Sequence, residues 1–189
     1  NYVHVPMAWI TELAFGLTAL ASVIYLWLGD DRADAAAVAA AEGGMYFCVA
    51  LLIAGSLWGR VAWGTFWTWG ARLTFTLLLW FIFLGYFLVR RSTKNPHQGV
   101  RFAAVVAILG ALDIPLIHMS VYWFPTLHPE PVYLRPDGPT ADSQFTMTLI
   151  VAFFAYTLLF LGLFSLRYGI KVAEREWSLR SFRLKGVTT

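Results

Sequence analysis

The stretch "ARLTFTLLLWFIFLGYFLVRR", residues 71–91, decides the fold class of this chain. No charged residue interrupts it between Arg72 and Arg90, and leucine and phenylalanine dominate its composition. A helix of roughly 20 mostly apolar residues is long enough to cross the hydrocarbon core of a bilayer. The stretch therefore predicts a transmembrane helix, with Arg90 and Arg91 at one membrane surface.

Four other stretches have the same character, so the chain is predicted to be all-α, a polytopic transmembrane helix bundle with five spans. Composition agrees, because only 13% of the residues are charged, whereas a soluble domain has about a quarter. In the second span Gly43 and Gly44 predict the close approach of another helix, and Pro115 predicts a kink in the fourth. The predicted spans are residues 6–28, 36–57, 71–89, 102–123 and 145–166.

Basic residues are concentrated on one side of the predicted bundle. The loops between consecutive spans alternate between the two membrane surfaces. Of the 14 basic residues, only Arg60, Arg72 and Arg135 fall on the side that carries the N-terminus. Cytoplasmic loops carry an excess of lysine and arginine. The side with the three arginines is therefore predicted to face outward, and the opposite side to face the cytoplasm.

This topology divides the chain into two parts. Residues 1–166 form a transmembrane domain, with outer loops at 58–70 and 124–143. Residues 167–189 form a basic cytoplasmic tail that also contains Trp177. We expect this tail to lie along the lipid surface, since each basic residue near anionic headgroups gains about 1 kcal/mol.

Three features that are distant in the sequence fall on the outer side of this bundle. His4 precedes the first span, and His128 lies in the loop beyond the fourth. The loop between the second and third spans contains "WGTFWTWG", residues 63–70, in which glycine and threonine separate three tryptophans. Tryptophans at a membrane surface commonly form an interfacial belt, but a belt does not require the glycines that make this pattern compact. We therefore expect the three features to meet at one site.

The chemistry that this combination favours is haem binding. Haem is a flat apolar disc whose iron takes axial imidazoles, and His4 and His128 are the candidate ligands. Trp63, Trp67 and Trp69 are candidates for the surface that holds the porphyrin. The candidate partners of the haem carboxylates are Arg60, Arg72 and Arg135. The candidates for residues that support the site are His118, Trp58 and Trp123.

Two ionisable residues lie inside the fourth predicted span. Such side chains are costly within a membrane unless they are paired, and they are candidates for function by default. His118 is most simply a hydrogen-bonded polar residue. Asp113 could pair with His118, if the kink at Pro115 brings them together, or with a hydroxyl group from another helix.

Several classes of function find no support in the sequence. A single cysteine, Cys48, excludes disulfide frameworks and cysteine-based zinc sites within the chain. No phosphate-binding loop is present, so the chain is not predicted to hydrolyse nucleotide by itself. Nothing supports nucleic-acid binding. No catalytic group is predicted, and we do not expect an enzyme.

Three motifs resemble one known family. The segment "WGTFWTWGARLT" (63–74) resembles the signature of the tryptophan-rich haem handling proteins of cytochrome c maturation. Its "ARLT" continuation and the segment "IPLIHMSVYWFPTLH" (114–128) resemble the CcmC family within that group. The segment "YVHVP" (2–6) is similar to the first outer histidine motif of the family. The resemblance extends from residue 2 to about residue 166.

The resemblance implies a function and a set of partners. CcmC-like proteins bind haem b at the periplasmic face of the bacterial inner membrane and deliver it to the haem chaperone CcmE. They work with the small protein CcmD and the ABC transporter CcmA–CcmB. By motif, the axial ligands fall on His4 and His128.

The family has six spans, so we expect one further span upstream of Asn1. Gly70 stands where the family usually has an aspartate, and a neighbour such as Thr68 is the candidate to replace that carboxylate.

Two other functions would need features that are scarce in this chain. A b-type redox cytochrome usually takes its haem ligands from within helices, and His118 is the one histidine inside a predicted span. A small-solute transporter would need a polar path across the spans, and Glu12, Glu42 and Asp113 are the main polar residues there. Haem delivery at the outer face is the favoured interpretation.

Overall fold

The structure, a computed structural model, describes residues 2–128 and 142–186. Arg135 and most of the second outer loop therefore lie outside the described residues. Within the described ranges every regular element is a helix, which confirms the predicted fold class. The helices are α1 (His4–Leu28), α2 (Asp31–Trp63), α3 (Ala71–Ser92), α4 (Pro96–Gly110), α5 (Asp113–Trp123) and α6 (Ser143–Gly186).

In the part of the chain that the structure describes, five helical segments are long and apolar enough to cross a membrane, with α4 and α5 together forming the fourth. Short connections join α1 to α2 and α3 to α4, and such connections place consecutive helices antiparallel. The start of α1, the α2–α3 connection and residues 124–128 consequently share one end of the bundle, called here the histidine end. Arg32, Arg90 and Arg91 lie at the opposite end, called here the basic end.

The helix α2 is longer than the predicted span at its C-terminal end. Residues 58–63 were expected in the outer loop, but they form the last turns of the helix, so the loop prediction was wrong there. None of these residues is a proline, so backbone hydrogen bonding continues beyond the apolar run. The helix ends only at Gly64, whose φ of 78° lies in the left-handed region that glycine adopts at helix ends. The loop proper is residues 64–70.

The fourth span is broken, as Pro115 predicted, but one turn earlier in the sequence. The helix α4 ends at Gly110 and α5 begins at Asp113. Proline has no N–H to donate to the carbonyl four residues before it, which here belongs to Ala111. The Ala111 carbonyl instead accepts from Ile114 N at 3.2 Å, in a tighter turn. The break follows from that missing donor.

The last helix, α6, has no boundary at the predicted start of the tail. It runs for 44 residues and continues through Arg167 to Gly186. Arg167 donates to the Glu42 carboxylate of α2, and Arg175 lies 2.5 Å from the Asp31 carboxylate. These ion pairs hold the first turns of the tail against α2, and the position of the tail along the lipid surface stays a prediction. At about 1.5 Å per residue, the helix is roughly twice as long as a bilayer core is thick.

The glycine pair of α2 admits two neighbouring helices, as the sequence predicted. A Cβ atom on Gly44 would lie 2.7 Å from the Phe15 ring of α1, and one on Gly43 would lie 3.0 Å from the Phe160 ring of α6. Phe15 in turn stacks on Phe83 of α3, with ring centroids 3.6 Å apart. The missing side chains thus allow α1 and α6 to pack against α2 and complete the core.

Replacing Gly44 with alanine is expected to destabilise the protein by about 1–3 kcal/mol, because the new methyl group overlaps the fully buried Phe15 ring. The matched control is Gly85→Ala in α3, where a Cβ atom has nothing within 4 Å. That variant should be neutral or gain slightly from helix propensity. Thermal unfolding in detergent, followed by size-exclusion chromatography, measures both. Equal stability of the two variants would contradict the packing.

Candidate functional site

His4 is the first residue of α1, and its ring lies against the end of α2. The imidazole stacks on the Trp58 ring with centroids 6.4 Å apart and an interplanar angle of 14°. A Cβ atom on Gly55 would lie 2.8 Å from His4 Cε1, so the glycine provides the space for the ring. The Nδ1 atom of His4 is buried and has no hydrogen-bond partner within residues 2–128 and 142–186. Sequence reasoning missed Gly55, although its position one helical turn before Trp58 places both on one face.

Aromatic contacts continue from His4 to the second predicted ligand. Trp58 contacts Trp63 edge-to-face with centroids 5.0 Å apart, and Trp63 contacts His128 at 6.2 Å. We call His4, Trp58, Trp63 and His128 the aromatic row. The two histidines, 124 positions apart in the sequence, therefore belong to one connected group at the histidine end. Two indole rings link them.

Arg72, the second residue of α3, adds a positive charge to the aromatic row. Its Nη1 atom lies 3.1 Å from His128 Nδ1, and both side chains are partly buried. The backbone N–H of His128 donates to the Thr126 hydroxyl at 3.2 Å, which shapes the segment that carries the imidazole. The start of α3 and the segment after α5 are thereby joined through the predicted ligand.

Trp67 and Trp69 form a second aromatic pair in the loop 64–70. Their ring centroids are 5.8 Å apart in an edge-to-face arrangement, and Trp69 is 76% exposed. The Nε1 atom of Trp67 is buried without a hydrogen-bond partner among the described residues. Thr65 shapes the loop by donating its hydroxyl to the Trp67 carbonyl at 3.1 Å. In the described part of the chain, no ring contact joins this pair to the aromatic row.

Gly70 caps the start of α3 beside two hydroxyl groups. A Cβ atom there would lie 3.2 Å from Thr126 Oγ1 and 3.7 Å from Thr68 Oγ1. An aspartate at this position would therefore start its side chain between two donors. In this chain the hydroxyl groups of Thr68 and Thr126 lie beside Gly70, and Gly70 itself has no carboxylate.

Arg60, unlike Arg72, contacts no histidine among the described residues. Arg60 donates to the Gly64 carbonyl and lies over the Phe66 ring, 5.6 Å from its centroid. It thus supports the end of α2 and the loop that follows. Arg135 lies outside the described residues. Of the two candidate arginines within the described ranges, Arg72 is the one that contacts a predicted ligand.

His118 pairs with a residue that sequence reasoning did not assign to it. Its Nε2 atom lies 2.9 Å from Glu12 Oε2, which joins α5 to α1. The expectation that Asp113 could pair with His118 was wrong, because residues five apart on a helix point in different directions. Asp113 is 5% exposed, and neither carboxylate oxygen has a hydrogen-bond partner within the described ranges. The sequence feature that could have indicated this partner is the charge of Glu12 inside the first span, since ionisable residues within a membrane usually pair with one another.

Trp123 ends α5 and is 56% exposed. No ring contact links it to the aromatic row in the part of the chain that the structure describes. Its position at the end of a span is typical of an interfacial tryptophan. The structure thus brings together His4, Trp58, Trp63, Arg72 and His128, and leaves Trp123 apart from them.

The site suits a flat ligand that supplies most of the coordination itself. In residues 2–128 and 142–186, no group of three or more histidine, cysteine, aspartate or glutamate side chains could hold a bare metal ion. Haem iron needs only axial ligands from the protein, because the porphyrin supplies the others. Two imidazoles, adjacent indole rings and one guanidinium therefore fit haem better than a free metal ion.

These features define a polytopic helical membrane protein with a histidine- and tryptophan-lined site at one end of its bundle. The chain belongs to the Heme exporter protein C (CcmC) family, whose family model matches residues 1–183. This family is the one that the three sequence motifs resembled.

Individual relatives agree with this assignment. Heme exporter protein C of Bradyrhizobium diazoefficiens is 41% identical over 162 residues, which are 86% of this chain and 62% of the relative. The protein of the same name from Haemophilus influenzae is 32% identical over 180 residues, 93% of this chain and 73% of the relative. A ccmC-like mitochondrial protein of Marchantia polymorpha, named for cytochrome c biosynthesis, is 32% identical over 169 residues, 89% of this chain and 68% of the relative. The chain thus spans somewhat less than two thirds of the Bradyrhizobium protein.

Proposed function

We propose that this protein binds haem at the histidine end of its bundle and delivers it to a haem chaperone for cytochrome c maturation. The observation that carries the proposal is the aromatic row, which connects His4 and His128 through two tryptophans and places Arg72 on His128. The names of the relatives, which refer to haem export and cytochrome c biosynthesis, support it.

Each part of the site has a distinct role in this proposal. His4 and His128 would serve as the axial ligands of the iron. Trp58 and Trp63 would lie against the porphyrin. Trp67 and Trp69 would extend this aromatic surface from the loop 64–70, where Trp69 is largely exposed. Arg72 would bind a haem carboxylate, since a guanidinium and a carboxylate form strong charge-assisted hydrogen bonds. The site lies on helix ends and a loop and is only partly buried, which suits a ligand that must leave again.

The distribution of charge supports an orientation. Arg32, Arg90 and Arg91 lie at the basic end, together with the C-terminal turns of α6. By the positive-inside bias, we propose that this end faces the cytoplasm and the histidine end faces the periplasm, across the bacterial inner membrane. The proposed cargo is haem b, and the recipient is a CcmE-like chaperone. CcmD-like and CcmA–CcmB-like proteins are the proposed partners, so this chain acts as a transport component rather than an enzyme.

A transfer experiment tests this function. The purified full chain, loaded with haem in detergent, is expected to show a low-spin spectrum typical of two axial imidazoles. After mixing with a CcmE-like chaperone and separation on a column, haem should be found on the chaperone. A chaperone variant that lacks its haem-binding residue is the control. Haem that stays on this chain in the presence of the competent chaperone would contradict delivery.

A further inference from the structure

The contact between Arg72 and His128 determines which nitrogen of the imidazole carries a proton. The Arg72 Nη1 atom lies 3.1 Å from His128 Nδ1. A guanidinium stays protonated and has only donors, so Nδ1 must be the acceptor in this hydrogen bond. The neutral His128 ring then carries its proton on Nε2.

This arrangement is incompatible with iron ligation by either nitrogen of His128. Ligation through Nδ1 needs the lone pair that Arg72 already engages. Ligation through Nε2 needs that nitrogen to lose its proton and Nδ1 to gain one, since an imidazole bound to a metal donates its other N–H to an acceptor. Arg72 cannot accept that hydrogen bond. In both cases the guanidinium must leave Nδ1 before the iron can bind.

A carboxylate is the group that can draw Arg72 away. A guanidinium and a carboxylate carry opposite charges and often form two parallel hydrogen bonds, whereas the neutral His128 ring offers Arg72 a single acceptor atom. The nearest carboxylate on the neighbouring helix α1, that of Glu12, already pairs with His118 at 2.9 Å. Haem brings its own carboxylates to the site together with the iron.

On the basis of the proposed function, we infer that Arg72 is a positioning residue that makes axial ligation by His128 conditional on a carboxylate of the incoming porphyrin. When the guanidinium moves to that carboxylate, the proton leaves Nε2, another reaches Nδ1 through water, and the ring stays neutral. The Nε2 lone pair then forms the bond to iron. The two recognition events are thus coupled, and a metalloporphyrin without carboxylates must displace the guanidinium from His128 without that compensation.

The test compares iron protoporphyrin IX with its dimethyl ester, which keeps the iron and the ring but has no free carboxylates. The purified full chain is titrated with each compound in detergent, and the low-spin spectrum reports ligation. The wild-type chain should bind the ester at least about tenfold more weakly than the free acid, as expected for one hydrogen bond to a charged group. Arg72→Ala should bind the ester about tenfold more tightly than the wild type does. Arg72→Gln should behave like Arg72→Ala, because an amide can accept from Nδ1–H.

A residue that only clamps the carboxylate gives a different result. In that case Arg72→Ala weakens binding of the free acid and leaves binding of the ester at the wild-type level, which would overturn the inference. Arg60→Ala is the matched control, since Arg60 lies at the same end but contacts Gly64 and Phe66. It should not improve ester binding.

A second measurement needs no haem. In the chain labelled with ¹⁵N-histidine, the ring nitrogen shifts of His128, assigned with His128→Ala, should show the proton on Nε2. Arg72→Ala should shift the ring toward a mixture of both tautomers. A proton on Nδ1 in the wild type would also overturn the inference. Failure of the proposed ligand assignment is a separate outcome, since His128→Ala would then bind both porphyrins as the wild type does.

Discussion

Replacing His4 or His128 with alanine is expected to abolish the low-spin haem spectrum and to lower haem affinity by at least about 100-fold. Loss of a group that merely supports a metal ligand costs about 10–100-fold, and loss of the ligand itself should cost more. The aromatic row contains one imidazole at each end, so neither can replace the other. Absorption titration of the purified variants measures both effects, and added imidazole should restore part of the low-spin spectrum by filling the vacated position.

Two other histidines provide controls for this result. His97 lies at the start of α4, at the basic end, and His97→Ala should leave the spectrum unchanged. His118 pairs with Glu12, and His118→Ala should retain the low-spin spectrum if its role is to hold α5 against α1. An unchanged spectrum in both His4→Ala and His128→Ala would show that the aromatic row does not supply the axial ligands.

The second large effect is expected at the basic end, where Arg90→Ala should destabilise the bundle by about 3 kcal/mol or more. Two Arg90 nitrogens lie 2.7 and 2.8 Å from the two Asp34 oxygens, and the side chains are only 16% and 9% exposed. Removal of one partner leaves a charge buried without compensation. Arg175, 3.8 Å from the same carboxylate, compensates only in part. Thermal unfolding in detergent measures the loss.

Arg91→Ala is the matched control for this prediction. Arg91 is the next residue of α3, it is exposed, and it forms no ion pair within the described residues. Its removal should change stability by less than about 0.5 kcal/mol. Asp34→Ala combined with Arg90→Ala should recover part of the loss, because the double variant removes both charges. Equal stability of Arg90→Ala and Arg91→Ala would refute a role for the buried pair.

The positions of the spans could be predicted from the sequence, but several of their ends could not. Apolar runs such as 71–89 identify helices within lipid, since no polar backbone group can remain unpaired there. Beyond the lipid this constraint no longer applies. Whether Trp58 and Trp63 are helical therefore could not be read from the apolar pattern, and the structure places both in α2. Likewise, α6 continues through Arg167, where it pairs with an acidic residue of α2.

The sequence by itself determined which residues share the histidine end, because spans that cross a bilayer alternate in direction. His4, the tryptophan motif and His128 could be assigned to one face on that ground alone. Only the tertiary structure decided which side chains touch: His4 against Trp58, Arg72 on His128, and His118 on Glu12 instead of Asp113. Such contacts depend on how each helix is rotated and how closely it packs. Those quantities are set by contacts between residues that are distant in the sequence, such as Gly44 and Phe15. No local sequence pattern predicts such a contact.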